Sequence, residues 1–393
     1  MTTSQPSISN PADSSTVAPS TDAPTGGSAA AGGLLSPWTP DRDGYRSLLE
    51  GHPSYRVDQI WQGLYQHDKA PEDQTNLPKA LRADLASQVA PGLELAQTQT
   101  SSDSQTLKWL WNLDGGAQVE TVLMHYRERS TVCISSQAGC AMGCGFCATG
   151  QAGYQRNLSV GEILEQVVAA RRAAAPRRLS NIVFMGMGEP LANYDRLIES
   201  LHRLIADFEI GARHITVSTV GLVPQMLRFA EERLQVGLAL SLHAANDELR
   251  TELVPINARH PIDDLIAACQ LFRERTGRRV SLEWAMIDGV NDRPSDAEEL
   301  AAVAIAARAH VNLIPLNPTP GYPTVGTPRP RIDEFVSDLK RRGVNATVRA
   351  NRGTDIDAAC GQLAAGDKSN SQATAAGTTA VSLSTKPAAN LTE

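Results

Sequence analysis

The sequence has no long hydrophobic run and no N-terminal leader pattern. No stretch approaches the ~20 apolar residues that span a bilayer. The first residues are rich in Ser, Thr, Ala, Pro and Gly, without a basic start or an apolar segment, so we expect neither a membrane protein nor a secreted one.

An excess of positive charge is also missing, because the formal net charge is −7. That balance argues against a protein that coats nucleic acid non-specifically, although local recognition stays open. The expectation is a cytoplasmic enzyme of bacterial type.

Aromatic residues and any apolar period are missing from both ends of the chain. Residues 1–37 and 366–393 are therefore predicted to be disordered tails. Residues 38–104 are predicted to form a small helical accessory domain, in which one apolar face repeats at helical spacing. The positions of that face are Val57, Ile60, Trp61, Leu64, Tyr65, Leu77, Leu81 and Leu85.

From 105 to 365 short β-branched runs alternate with helical patterns, which predicts an α/β core with a parallel sheet, open or curled into a barrel. The predicted strands are 131–135, 181–185, 214–218, 236–242, 280–287, 311–316 and 346–349. The predicted helices are 160–173, 193–206, 222–232, 261–275, 295–309 and 331–342. Ligands of such folds bind at the carboxyl ends of the strands, so the polar residues there are the candidates for a site.

Cysteine is scarce but concentrated. The chain has six cysteines, and three of them form a Cys-x3-Cys-x2-Cys motif at Cys140, Cys144 and Cys147. Three thiolates on one loop can hold three irons of a [4Fe–4S] cube. One iron is then left open to bind a substrate through amino and carboxylate groups. A structural zinc site is the alternative, but it needs a fourth protein ligand, and none follows at a suitable spacing.

Short polar residues and glycines follow several predicted strands. Gly188 allows close backbone approach, and the Glu189 carboxylate can bind an ammonium group, although Gly-Glu-Pro alone is equally typical of a turn. The other strand-end residues can hydrogen-bond a ribose or a carboxylate. They are Ser218, Ser241, Leu242, His243 and Asn317.

Two cysteines outside the motif lie at strand ends. Cys133 lies in the strand before the motif, and Cys360 follows the last strand, which places both near one mouth of the predicted sheet. Two buried, inert cysteines would be an equally ordinary interpretation without further context. Cys269 lies on the apolar face of a helix and is predicted to be a core residue.

Five segments together resemble the radical S-adenosylmethionine (SAM) RNA adenine methyltransferases, over roughly residues 40–365. The resemblance is closer to the branch that methylates C2 of adenine. The segments are Ser135-Ser-Gln-Ala-Gly-Cys-Ala-Met-Gly-Cys-Gly-Phe-Cys-Ala-Thr-Gly150, Phe184-Met-Gly-Met-Gly-Glu-Pro-Leu191, Ser241-Leu-His-Ala-Ala-Asn-Asp247, Val254-Pro-Ile-Asn257 and Asp355-Ile-Asp-Ala-Ala-Cys-Gly-Gln-Leu363.

This resemblance implies a partial (βα)6 TIM-like barrel, one [4Fe–4S] cluster and two SAM molecules per turnover. It implies that Cys360 is first methylated by one SAM. A 5′-deoxyadenosyl radical from the second SAM then activates the methyl group for addition to C2. Cys133 would release the resulting covalent adduct through a transient disulfide. Glu120 aligns with the family's proposed proton acceptor, and whether Glu120 or Cys133 takes the C2 proton stays open.

The implied partners are 23S ribosomal RNA at the peptidyl transferase centre, transfer RNA, and an electron donor such as flavodoxin or ferredoxin. The enzyme is expected to be monomeric and away from membranes. The target base should be flipped out near the cluster. Arg349 and Arg352 beside Cys360, together with the helical accessory domain, are the candidates for phosphate contacts.

Three other functions remain open at this point. The same chemistry could act on C8 of adenine, as in the related antibiotic-resistance branch, and motifs shared by both branches do not separate the two. A radical SAM activase or sulfur-inserting enzyme would need further cluster cysteines or a glycyl-radical partner. A non-catalytic iron–sulfur redox protein or RNA-binding module would not cleave SAM.

Overall fold

A computed structural model describes residues 34–319, 321–322 and 325–363. Most of the two predicted tails, at 1–33 and beyond 363, lies outside these residues. Residues 34–37 were also predicted as tail, yet they pack against the core: Leu35 forms a β-bridge with Val89, and the buried Ser36 hydroxyl donates to Glu165. Within the described residues no helix is long and apolar enough to cross a membrane.

The N-terminal helices are α1 (Arg42–Leu48), α2 (Tyr55–Gln66) and α3 (Lys79–Ala86). The predicted apolar face of α2 is buried, because Ile60 and Leu64 are fully inaccessible to solvent. The Tyr65 ring packs edge-on against Phe208 of the core, with 4.9 Å between centroids. The helices therefore share a hydrophobic core with the rest of the chain.

The helical region ends before residue 104, contrary to the expected boundary. Residues 93–100 form the first of four antiparallel strands, and a two-stranded ladder follows them beside the cysteine motif. The four strands are β1 (Leu93–Thr100), β2 (Thr106–Leu113), β3 (Gln118–His125) and β4 (Ser130–Cys133), and the ladder is β5 (Gln137–Gly139) with β6 (Tyr154–Asn157).

The rest of the sheet is parallel, and its six further strands follow β4 in chain order. All seven predicted strands are present within two residues of their expected ends, and the predicted α/β fold class is confirmed. The further strands are β7 (Leu179–Phe184), β8 (Ile215–Thr219), β9 (Gly237–Ser241), β10 (Ser281–Met286), β11 (His310–Pro315) and β12 (Ala346–Val348). The further helices are α4 (Ala148–Ala152), α5 (Val160–Ala174), α6 (Tyr194–Ala206), α7 (Val223–Glu231), α8 (Asp247–Leu253), α9 (Ile262–Thr276), α10 (Pro294–Ala306) and α11 (Arg329–Arg341).

The parallel strands curl into a partial barrel. Arg349, just after β12, places its guanidinium 3.6 Å from Met185 Sδ, just after β7, and 3.2 Å from Glu283 Oε2 on β10. Four strands separate β7 from β12 in the sheet order, so these residues meet only because the sheet bends round. The carboxyl ends of the strands consequently surround one cavity.

Candidate active site

The three motif cysteines lie on the loop between β5 and α4. Gly139 starts the loop with φ of +72°, and a Cβ there would come within 1.9 Å of the Gly153 carbonyl oxygen. The Cys140 N–H donates to that same oxygen (2.8 Å), which closes the loop at its base. Cys140, Cys144 and Cys147 all line a cavity of about 160 Å³ at the barrel mouth.

The loop fits a cluster better than a single metal ion. No three His, Cys, Asp or Glu side chains in the described part of the chain converge as one ion requires, whereas each cysteine of a cube binds a different iron. Burial, followed by repulsion from neighbouring acidic groups, raises the pKa of the Cys144 thiol, and burial raises that of Cys140 to about 12. Thiols in such a place become thiolates when a metal supplies the opposing charge.

Glu189 lies on the same cavity wall and is fully buried from solvent. Its carboxylate accepts the N–H groups of Leu191 (3.1 Å) and Val220 (2.9 Å), while Gln137 Oε1 accepts the Glu189 N–H (2.8 Å). Burial raises the pKa of Glu189 to about 7, against these hydrogen bonds, which lower it. A cationic ligand would therefore find a desolvated carboxylate held in one orientation. Gly188, at φ of +97°, is also required, since a Cβ there would lie 2.5 Å from Gln137 Cβ.

Four of the other strand-end residues line the cavity as expected, namely Ser218, Ser241, His243 and Asn317. The His243 Nδ1 accepts the N–H of Ala285 (3.0 Å), and burial, helped by the Arg250 charge, lowers the His243 pKa to about 3. The imidazole is thus neutral and carries its proton on Nε2.

Leu242 differs from its four neighbours at the strand ends. It is fully buried and is not among the described residues that line the cavity. Successive side chains of a strand point to opposite faces, so the orientation of Ser241 into the cavity turns Leu242 away. A contact between SAM and the Leu242 side chain is not supported by this geometry.

Cys133 and Cys360 meet at a second, smaller cavity that adjoins the first. Met185, Arg349 and Cys360 line both cavities, so the two spaces are continuous at these side chains. Both cysteines are free thiols, which leaves the expected disulfide without support in this state of the molecule. Burial raises the pKa of Cys133 to about 12, and the Arg349 charge opposes that shift.

The segment that carries Cys360 is attached to the helix after the cysteine motif. The Ala148 N–H donates to the Gly361 carbonyl (2.8 Å), and the Thr149 hydroxyl donates to the Leu363 carbonyl (2.6 Å). Asn317 Nδ2 donates to the carbonyl of Cys360 itself (3.0 Å). Helix α4 and the residues just after strand β11 together therefore fix the position of Cys360 beside the cysteine loop.

Glu120 and Arg349, two site residues predicted from the sequence, have ion-pair partners that the sequence did not indicate. Glu120 is buried, and its Oε1 lies 3.0 Å from Lys108 Nζ, which also donates to the Asp357 carbonyl (3.2 Å). Glu120 is not among the described residues lining either cavity. Arg349, expected to contact phosphate, is engaged inside the barrel by Glu283. Lys108 and Glu283 went unnoticed because no local motif surrounds them.

The arrangement is that of a radical SAM enzyme. The sequence model of the Radical SAM superfamily matches residues 134–304, which include the cysteine loop and four of the strand ends. A crystal structure of a radical SAM methyltransferase from Sphaerobacter thermophilus superposes with a TM-score of 0.82 at 48% identity, over 84% of this chain and all of that one. Membership implies a [4Fe–4S] cluster and SAM as cofactors.

Curated relatives narrow the class. One from Parafrankia sp. (strain EAN1pec) is 51% identical over 80% of this chain and 87% of its own length, and one from Salinispora tropica is 52% identical over 81% and 89%. Both carry the name "Probable dual-specificity RNA methyltransferase RlmN". The chain belongs to the RlmN family of radical SAM RNA methyltransferases.

Proposed function

We propose that this enzyme methylates C2 of an adenine in 23S ribosomal RNA, at the peptidyl transferase centre, and of an adenine in transfer RNA. The observation that carries the proposal is the continuity of the two cavities at Cys360, with Cys133 on the wall of the smaller one. An activase or an electron-transfer protein has no use for two thiols beside the cysteine loop. Methylation at C8 uses the same two thiols and is the competing outcome.

The cofactor site would be held by residues of the larger cavity. Cys140, Cys144 and Cys147 would ligate three irons of one cluster, and the Glu189 carboxylate would bind the SAM ammonium group. Ser218, Ser241, His243 and Asn317 offer hydrogen-bonding groups to the rest of that ligand. When bound, the cluster supplies the electron for reductive cleavage of SAM.

Cys360 would act as the methyl carrier. C2 of adenine is an electron-poor carbon and does not displace a methyl group from SAM, so a thiolate has to accept the methyl first. The positive charge of Arg349, which lines both cavities with Cys360, favours the thiolate forms of Cys360 and Cys133. The methyl carbon, after losing a hydrogen atom, would bond to C2 and link Cys360 to the RNA. The adduct would then lose one electron, which the oxidised cluster could accept, and the C2 proton, which a base would take.

Cys133 would release the product. Its thiolate attacks the Cys360 sulfur, an S–S bond forms, and the carbon–sulfur bond breaks with its electron pair passing to the carbon. That carbon takes up a proton and becomes the new methyl group, and an external thiol reduces the disulfide before the next turnover. Cys133 is also the better placed of the two candidates for the C2 proton, since it lines the smaller cavity and Glu120 pairs with Lys108.

RNA contact is proposed for Arg352 at the rim of the smaller cavity. Its guanidinium lies over the Tyr126 ring, 4.4 Å from the centroid, and the residue is half-buried. Replacing it in the variant R352Q should weaken RNA binding and flatten the salt dependence by a slope of about 0.7–0.9 for each phosphate that is no longer neutralised. Filter binding across a salt series measures both quantities.

Arg342 provides the control for that experiment. It pairs with Glu298 and lies just before β12, at the end of the sheet opposite the cavities. The variant R342Q removes the same charge and should leave the salt slope unchanged. Equal RNA affinity of R352Q and the parent protein at every salt concentration would remove Arg352 from the interface.

The decisive test of the function is the identity of the product. Protein reconstituted anaerobically with iron and sulfide is supplied with SAM, a reductant such as reduced flavodoxin or ferredoxin, and unmodified 23S or transfer RNA. Mass spectrometry of the digested RNA should find 2-methyladenosine. 8-Methyladenosine would show that the enzyme has the C8 specificity of the antibiotic-resistance branch. SAM cleavage without any methylated adenine would contradict the proposed RNA substrate. We further propose a monomeric, cytoplasmic enzyme, which size-exclusion chromatography and cell fractionation would examine.

A further inference from the structure

A buried arginine stands behind the cavity wall. Arg250 of α8 has no solvent exposure, and its guanidinium donates only to uncharged oxygens. The acceptors are the carbonyls of Val220 (2.7 Å), Ser241 (3.2 Å) and Leu242 (3.1 Å), and Asn257 Oδ1 (2.7 Å). These contacts also explain two motifs with no other assigned role, since Ser241-Leu-His-Ala-Ala-Asn-Asp247 and Val254-Pro-Ile-Asn257 supply three of the four acceptors.

No carboxylate neutralises this guanidinium directly. None of the ion pairs in the described residues includes Arg250. Asp247 lies on the same helix, but its carboxylate accepts from Asn257 Nδ2 (2.9 Å) and from the Ile262 N–H (2.9 Å). Burial lowers the Arg250 pKa to about 10, which still leaves a full positive charge at neutral pH. A buried charge with only neutral partners is costly, so an opposite charge is to be expected nearby.

The motif cysteines are the groups that can supply that opposite charge. Cys144 packs in one buried cluster with Leu253 and Val254, which follow Arg250 within four residues along the chain. Gly143 also approaches Pro255, since a Cβ there would lie 4.0 Å from Pro255 Cγ. The turn after α8 thus lies against the cysteine loop.

Arg250 also connects to the residue expected to bind SAM. The Val220 carbonyl accepts from Arg250, and the Val220 N–H donates to Glu189 Oε2 (2.9 Å). Val220 and Ser241 both line the larger cavity. The guanidinium therefore holds the turns after β8 and β9 in place from the side away from the ligand.

We propose that Arg250 is the buried counter-charge of the iron–sulfur cluster and at the same time a positioning residue for the SAM-binding turns. The proposal rests on ligation of the cluster by Cys140, Cys144 and Cys147. Thiolate ligands make the cluster site negative, and one-electron reduction adds a further negative charge. A fixed positive charge beside the site stabilises the reduced state more than the oxidised one, so Arg250 raises the reduction potential.

The test measures the midpoint potential of the reconstituted protein by a redox titration followed with electron paramagnetic resonance. In the variant R250Q the potential should shift to more negative values, while R250K, which keeps the charge, should stay near the parent protein. R250K loses the planar fork that holds two turns at once, so its dissociation constant for SAM should rise several-fold.

A second variant covers the case in which R250Q does not fold. R250M removes the charge and places an unbranched apolar side chain in the buried space, which should also shift the potential to more negative values. Arg203 of α6 is the control for the loss of a buried arginine. It is 5% exposed and donates to the Trp38, Thr39 and Pro40 carbonyls, but unlike Arg250 it pairs with a carboxylate, that of Glu199 (2.6 Å). R203Q should lower the thermal stability and leave the potential unchanged.

Iron and sulfide content, measured first, separates the possible failures. A parent protein that binds no cluster contradicts the proposed cysteine ligation itself. A cluster retained in R250K and lost from a folded R250Q supports the counter-charge role. Equal potentials of the parent, R250Q and R250M proteins would overturn that role, as would loss of the cluster from R250K and R250Q alike.

Discussion

The variant C133A should stop after one turnover with the RNA covalently attached to Cys360. Cys133 is the only cysteine besides Cys360 on the wall of the smaller cavity in the described chain, and the release step needs a second thiol at that sulfur. Alanine cannot form the S–S bond, while methylation of Cys360 and SAM cleavage do not use Cys133. We expect product release to be lost and a protein–RNA species that survives denaturing electrophoresis to accumulate.

The control for this experiment is C269A. Cys269 is a buried cysteine of α9 that touches neither cavity, so its loss should cost stability without trapping RNA. The double variant C133A/C360A should not form the adduct, since the carrier is absent. Normal multiple turnover by C133A would eliminate the release step through Cys133.

The variant E189Q should bind SAM about 10- to 100-fold more weakly. A hydrogen bond to a charged group is worth about 1.5–3 kcal/mol, and glutamine keeps the shape of Glu189 while it removes the charge that faces the ligand and its two backbone partners. Equilibrium dialysis with the oxidised cluster, where SAM is not cleaved, gives the dissociation constant.

The same substitution should remove the pH dependence of SAM binding. The pKa of Glu189 is raised to about 7, so the carboxylate that attracts an ammonium group is present above that pH and is lost by protonation below it. The parent protein should therefore bind SAM more weakly at pH 6 than at pH 8, and E189Q should not.

Glu165 is the matched control for Glu189. It too is buried, and burial raises its pKa to about 7. Its carboxylate accepts two backbone N–H groups, from Gly92 (2.9 Å) and Leu93 (3.0 Å), which oppose that shift. Glu165 is not among the described cavity residues, so E165Q should change stability and leave SAM affinity intact. Equal SAM affinity of E189Q and the parent protein would show that the SAM ammonium group does not bind Glu189.

The sequence predicted the parallel half of the sheet well and the antiparallel half poorly. Strands buried on both faces, such as Gly237–Ser241, are short apolar runs, and this pattern is local. Strand β1 consists largely of exposed polar residues, and its composition resembles that of the helical region before it. Its pairing with β2 stabilises it, and such a contact is not visible in composition.

Site residues that belong to a local sequence pattern were predicted, and those defined by contacts between distant segments were missed. The cysteine loop is a local spacing, so its three thiols could be named from the sequence. Arg250 holds carbonyls from two turns about 20 residues apart, and Arg349 meets Glu283 and Met185 across the barrel. The Arg250 contacts exist because β8 and β9 are neighbours in the sheet, and the Arg349 contacts exist because the sheet bends, so neither role could be read from a local spacing.

The attachment of the Cys360 segment to α4 has a consequence for damage by oxygen. The helix α4 begins directly after Cys147, and its first residues hold the Gly361 and Leu363 carbonyls. Oxidative loss of the cluster would release the loop and, through this short helix, the cysteine that reacts with the substrate. Loss of the cluster should therefore also displace Cys360. Air-damaged enzyme should not accumulate as a covalent protein–RNA adduct that cannot be released.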